Sequence, residues 1–169
     1  MVSNQTSNQN QATHSRAPDR PHEILQTLKQ RLPALLQNHP VMLAYAYGSV
    51  ASGCLTPLSD VDIALVLHPD CGLTPYQRLE LELEIAAKID AWNEIPDTDV
   101  RTIDTAPLRI QGMVLTRGVL LYTRDEDFRV SYEVQTRMRY FDFRPTVERM
   151  RQAYLERTVS TLREKGLYD

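Results

Sequence analysis

The sequence predicts an α/β domain of the α+β kind, a small mixed β-sheet flanked by helices. Three observations predict it. Two apolar runs, Val41 to Tyr47 and Val61 to Leu67, the second broken only by Asp62, have the length and composition of buried strands. Segments with apolar residues at three- and four-residue spacing stand before and after them. The length of 169 residues suits one domain with a real core.

The elements follow in order. Residues 1–20 predict a disordered tail, rich in Ser, Asn, Gln and Thr and poor in large apolar side chains. From Pro21, the residues Ile24, Leu25, Leu28, Leu32, Leu35 and Leu36 recur at helical spacing. Pro33 interrupts them and predicts a kink or two short helices. The strand from Val41 ends at Gly48-Ser49, with a helical turn expected over 50–54 and a loop around Pro57. A second strand follows from Val61. Thr74-Pro75 is a helix start, a capping residue before a proline at the first helical position. Leu79, Leu81, Leu83 and Ile85 alternate with charges, as a strand would. The length, the Glu and Ala content and the start signal favour a helix to about Trp92. Asp97 to Ile103 is a third strand, Ala106 to Thr116 a helix, and Gly118 to Tyr122 a fourth strand. Two further helices are expected, Asp125 to Tyr140 and Pro145 to Lys165. The second has Val147, Met150, Tyr154 and Leu162 near one face and Gly166 as its stop. The organisation expected is a tail (1–20), a core domain (21–140) and a C-terminal helix (141–169) packed on the domain or on a partner.

Composition excludes several classes. No apolar run reaches the roughly 18 to 20 residues of a membrane span, and the polar N-terminus lacks a signal-peptide pattern, so a cytoplasmic protein is expected. Cys54 and Cys71 lack metal-ligand spacing and read as reduced thiols. His14, His22, His39 and His68 are scattered, which argues against zinc. Residues 1–100 hold 6 basic and 12 acidic side chains, and residues 101–169 hold 13 and 10. The acidic part contains the candidate site. The basic part is almost all arginine, suited to phosphate and interface contacts. The overall balance of −3 gives no footing for direct nucleic-acid binding.

The chemistry centres on two short motifs. Asp60 and Asp62 flank Val61 at the opening of a strand, so their carboxylates share one face while Val61 enters the core. Two like charges raise each other's pKa unless neutralised, and a divalent ion neutralises them. Magnesium is suited, because it takes one or two carboxylates plus substrate phosphates and waters. Ten residues earlier, Gly48-Ser49 follows a buried strand and opens a helical turn. Glycine permits close backbone approach, free N–H groups suit a phosphate, and the Ser49 hydroxyl adds a donor. A third carboxylate is needed where two metals share ligands and a hydroxyl needs a base. Asp99 is the choice, with Asp97 and Asp104 as alternatives.

Gly48-Ser49, ten residues, then Asp60-Val61-Asp62 resembles the signature of the DNA polymerase β nucleotidyltransferase superfamily. The segment from Asp99 to Thr105-Ala106-Pro107, followed by Gly118 to Asp125, is more similar to minimal nucleotidyltransferases, among them the antitoxins of HEPN/MNT toxin–antitoxin pairs. The resemblance covers roughly residues 22–140. It implies a polymerase β-like fold and nucleotidyl transfer from ATP with two Mg²⁺ ions. Asp60, Asp62 and Asp99 would be catalytic and metal-binding, and Gly48, Ser49 and Ser59 nucleotide-binding. In the antitoxins the acceptor is a tyrosine hydroxyl of the partner HEPN toxin, an RNase silenced by added AMP. One departure stands out: many relatives carry arginine where Ser52 stands, so the triphosphate would be held by something else, such as Arg101 or an arginine of the last helices. Two rival functions remain, transfer to a small acceptor of the aminoglycoside type and an antitoxin that acts by binding alone. The short stretch after residue 140 leaves room for one helix, which favours an acceptor brought by another protein.

Overall fold

The computed structural model describes residues 20–56 and 58–164. The expected tail, apart from Arg20, lies outside the described residues, as do Pro57 and Gly166. Nine elements follow one another: α1 (Arg20–Leu36), β1 (Val41–Tyr47), α2 (Gly48–Ser52), β2 (Val61–Leu67), α3 (Pro75–Asp90), β3 (Thr98–Thr102), α4 (Leu108–Arg117), β4 (Val119–Thr123) and α5 (Glu126–Glu164).

The sheet is mixed, in the order β3-β2-β1-β4. β1 pairs antiparallel with β2 and β4, and β2 pairs parallel with β3. The two apolar runs are thus the two central strands, buried on both faces except at Tyr47 and Asp62, which are half-buried. On one face Ala44, Ala46, Val61, Ile63, Leu65 and Val100 pack with Ile24, Leu28, Leu32 and Leu36 of α1 and with Leu81, Ile85 and Ile89 of α3. On the other, Leu43, Tyr45, Ala64 and Val66 pack with Val114 and Leu115 of α4, with Phe128 and Tyr132 of α5 against them.

The α3 start is as expected. Thr74 accepts a hydrogen bond from the Gln77 amide, and the Gln77 side chain accepts one from the Thr74 amide at 2.9 Å. The alternating leucines resolve as a helix because Leu81, Ile85 and Ile89 are buried at four-residue spacing, while Leu79 and Leu83 are exposed. Asp90 accepts from the Thr98 amide at 3.0 Å and Glu82 from the Thr102 amide at 2.7 Å. These two carboxylates satisfy N–H groups of β3, an edge strand, and fix it against α3.

Three expectations change. α1 is a single helix through Pro33. The stripe Ile24, Leu28, Leu32 and Leu36 is buried on both sides of the proline, and Arg124 holds the helix end. The Arg124 guanidinium donates to the carbonyls of Leu36 (3.0 Å), Gln37 (3.0 Å), His39 (2.7 Å) and Val41 (2.9 Å). The guanidinium thus ties the end of α1 and the turn after it to the start of β1. The short helix begins at Gly48, not at residue 50. Finally, the two expected C-terminal helices are one, α5, with Pro145 inside it. A proline removes one intrahelical bond, and the Arg-, Glu- and Gln-rich stretch after it is a strong enough helix former to continue.

α5 is attached through a buried polar knot. Glu133 accepts from the Tyr45 hydroxyl at 2.8 Å and from Arg129 at 2.9 Å, and forms an ion pair with Arg137 at 3.1 Å. Arg137 also donates to the Leu115 carbonyl of α4 at 2.6 Å. Gly112 admits the Tyr140 ring: a Cβ there would lie 2.1 Å from Tyr140 Cγ. Tyr132 and Tyr140 therefore pack inward, whereas Met138, Phe143 and Met150 are exposed. Glu133→Ala would leave the buried Tyr45 hydroxyl without its acceptor and remove the carboxylate facing Arg129 and Arg137. Urea unfolding should show a loss of about 2–4 kcal/mol; a loss within error of zero would mean the knot does not hold α5.

Candidate active site

Strand alternation and register assemble the site. Tyr47 of β1 pairs with Asp62 of β2, and Asp62 pairs with Asp99 of β3. Next along the strands, Tyr45 pairs with Ala64 and Ala64 with Arg101. Tyr47, Asp62, Asp99 and Arg101 thus lie on the face that α4 and α5 cover. That cover ends between Tyr45, which is buried, and Tyr47, which is half-buried. Val61 and Val100 point the other way and are buried in the core, as the alternation requires.

Gly48 closes the site from below. Its φ is +67°, and a Cβ there would lie 2.1 Å from Asp62 Oδ2. Glycine is required twice, for the left-handed backbone and for the space the carboxylate occupies. Ser49 is half-buried beside it. Ser52, standing where many relatives carry arginine, turns its hydroxyl back onto α2. It donates toward the carbonyls of Gly48 (3.0 Å) and Ser49 (3.2 Å). Ser59 is engaged with its own loop: its Oγ accepts from the Thr56 amide at 3.0 Å and lies 2.7 Å from the Thr56 hydroxyl.

The electrostatics are one-sided. Burial, and then the Asp99 and Asp60 carboxylates, push the Asp62 carboxyl above its ordinary pKa. Burial, and then Asp62 and Asp99, push the Tyr47 phenol up as well. Asp60 is exposed at the end of the loop. The remaining carboxylates lie elsewhere. Asp97 is exposed, and its carbonyl accepts from the Val61 amide at 2.9 Å. Asp104 is committed to Arg78 of α3 at 2.7 Å. Of the three candidates for a third carboxylate, Asp99 is the one in register with Asp62. Arg101 forms an ion pair with Asp99, its Nε 2.9 Å from Oδ1. The sequence offered Arg101, or an arginine of the last helices, as a phosphate contact and did not single out Tyr47, whose place beside Asp62 follows from strand pairing.

These groups fit a divalent cation. The donors are hard oxygens, the crowding of negative charge calls for a counter-ion, and Gly48 leaves the Asp62 carboxylate unobstructed. Among the described residues no three His, Cys, Asp or Glu side chains form a ready cage. Magnesium draws further ligands from substrate phosphates and water.

Residues 30–127, more than half of the chain, match the family described as Polymerase beta, Nucleotidyltransferase. The chain belongs to this family. No curated protein matches it. Solved structures share its fold. A chain of a toxin–antitoxin crystal structure with AMP-PNP is 22% identical with a TM-score of 0.57, over 77% of this chain and 97% of that one. A chain from a tri-AMPylated Shewanella oneidensis HEPN toxin in complex with MNT antitoxin is 20% identical with a TM-score of 0.54, over 79% and 98%. A chain of the MntA–HepT toxin–antitoxin is 21% identical with a TM-score of 0.54, over 79% and 97%. The mixed sheet with flanking helices is therefore the polymerase β-like nucleotidyltransferase fold. No helix of the described residues is long and apolar enough to cross a membrane.

Two predictions follow from the geometry of this nucleotidyltransferase site. Gly53 also has positive φ, but nothing lies within 4 Å of its missing Cβ. Gly53→Ala should cost about 1–2 kcal/mol of backbone strain. Gly48→Ala should cost more and should alone weaken Mg²⁺·ATP binding in calorimetry, because it alone displaces Asp62. Equal losses in the two variants would contradict that contact.

The second concerns charge. Asp62 is harder to ionise in the folded chain than in the unfolded one, so its ionised form destabilises the metal-free fold. The penalty develops as pH rises from about 4 and is complete above the folded value. Asp62→Asn should therefore raise the urea midpoint at pH 7 in EDTA, and the gain should vanish below about pH 4. A lowered midpoint at pH 7 would reverse the sign assigned to the cluster.

Proposed function

We propose that this nucleotidyltransferase is an antitoxin that transfers AMP from ATP, with magnesium, to a tyrosine hydroxyl of a partner HEPN RNase toxin and so silences it. The observation that carries the transfer is the pairing of Asp62 with Asp99 beside Gly48, with Asp60 two residues before Asp62. The protein acceptor is supported by the shared fold with toxin–antitoxin chains and by α5. There Val130, Val134, Met138 and Phe141 recur at four-, four- and three-residue spacing, all exposed. Such an apolar stripe suits a protein partner.

The residues divide the work. Ser49 and the backbone after Gly48 receive the β- and γ-phosphates. Asp60, Asp62 and Asp99 would hold the magnesium ions, which when bound would neutralise phosphate charge and lower the pKa of the attacking hydroxyl. Asp99 helps take the hydroxyl proton. The hydroxyl oxygen bonds to the α-phosphorus in line, the bond from that phosphorus to the bridging oxygen breaks, and its electron pair leaves with pyrophosphate. Positioning and charge neutralisation supply most of the rate.

Intact mass of a partner toxin co-expressed with the wild-type chain should rise by one or more AMP units. With Asp60→Asn and Asp62→Asn together, transfer should fall by more than about a thousandfold, while the chain still folds and still binds the partner. Unmodified toxin in a stable wild-type complex would instead favour neutralisation by binding alone, the reading that the α5 stripe by itself would support. AMP appearing on an aminoglycoside and not on protein would favour a small acceptor.

A further inference from the structure

The site contains one cation whose place is unusual. Arg101 is two residues beyond Asp99 on β3, so both side chains lie on the same face. Among the described residues it is the only basic side chain that the structure pairs with any of Asp60, Asp62 and Asp99. It touches Asp99 through Nε at 2.9 Å, and its NH1 lies 3.8 Å from Glu82 Oε2. Glu82 is not free to follow it. It is buried on α3, with its other oxygen accepting from the Thr102 amide at 2.7 Å and the Thr102 hydroxyl at 2.6 Å. The guanidinium is therefore braced between a fixed carboxylate and Asp99.

Stability does not account for this arrangement. The Arg101 side chain is 56% exposed and that of Asp99 44% exposed. Pairs of that exposure contribute about 0–1 kcal/mol. What the contact does supply is direction. A cation 2.9 Å from Oδ1 draws that oxygen toward Arg101 and leaves Oδ2 as the oxygen outside the ion pair. The same brace that pins β3 to α3 thus reaches the site through one further residue.

We infer that Arg101, anchored by Glu82, is a positioning residue that orients Asp99 for metal binding and proton acceptance beside Asp62. This rests on the transfer reading above for its kinetic consequence, but not for its metal-binding one. Arg101 is then not the triphosphate contact that the loss of arginine at position 52 would call for.

Two measurements on the full chain test it. The first uses Mn²⁺ alone, without nucleotide, followed by electron paramagnetic resonance. Asp99→Asn should weaken Mn²⁺ binding about tenfold in the wild-type background. In an Arg101→Leu background the same change should cost less than about threefold, because Asp99 is no longer held. The long-range effect of removing a positive charge is common to both backgrounds and cancels. An equal cost in both would overturn the inference, whatever the protein transfers.

The second is kinetic. Arg101→Leu should lower kcat about 10–100-fold with KM for ATP changed less than about threefold. Glu82→Gln, which keeps an acceptor for Thr102 but loses the charge facing Arg101, should fall between. Arg101→Lys should recover only part of the loss, because one ammonium cannot face Asp99 and Glu82 at once as the guanidinium does through Nε and NH1. Unchanged kcat, or a large rise in KM for ATP at constant kcat, would identify Arg101 as a bystander or a phosphate contact. Wild-type protein that transfers no AMP would sink the transfer reading while the Mn²⁺ comparison still decides the role of Arg101.

Discussion

The parallel pairing of β2 with β3 sets Asp62 opposite Asp99, and the rest of the site depends on that register. Backbone hydrogen bonds fix the pairing, so the carboxylates cannot move apart to relieve their repulsion. The neighbouring residues hold it from the other face: Val61, Ile63 and Val100 are sealed in the core against α1 and α3. Apolar burial, worth about 1.5–3 kcal/mol for each such side chain, outweighs the repulsion of partly solvated charges. The fold thus carries a local conflict at one point and offsets it with packing directly behind.

α3 and α5 play different parts around this register. α3 grips β3 at both ends, through Asp90 at Thr98 and Glu82 at Thr102, and so fixes the strand that bears Asp99. α5 sits on the site-bearing face, tied to β1 by Tyr45 and Glu133. Burial, and then the hydrogen bond to Glu133, push the Tyr45 phenol well above its ordinary pKa, so it stays a neutral donor. Two residues on, Tyr47 has left the cover of the helices and stands among the carboxylates. The step from Tyr45 to Tyr47 is where packing gives way to chemistry.

Much of this was legible in the sequence because the decisive signals are local. Apolar runs marked the central strands, Thr74-Pro75 marked the start of α3, and the spacing of Gly48 from Asp60 and Asp62 marked the site. The prolines misled. Pro33 and Pro145 each predicted a break, yet a proline costs one bond and some crowding, and a buried stripe held at its end by Arg124 outweighs that in α1. The start of α2 was misplaced because Gly48, with positive φ, is counted in the helix although it reads as a turn residue. The ties Arg101–Asp99, Glu82–Thr102 and Tyr45–Glu133 were not legible. They join residues on different elements or depend on which face a strand presents, and only pairing register reveals that. Ser52 was visible as a departure, but not that its hydroxyl would turn back on its own helix.

Arg124 has a consequence for how the chain is made. It follows β4, yet its guanidinium secures the end of α1, some 83 to 88 residues earlier in the sequence. A chain emerging from the ribosome exposes α1 long before this clasp exists. Asp62 and Asp99 also emerge ahead of it, and β1 still lacks its partner on one side until β4 arrives. The clasp at the end of the first helix is therefore fastened only after residue 124 has been made, late in synthesis.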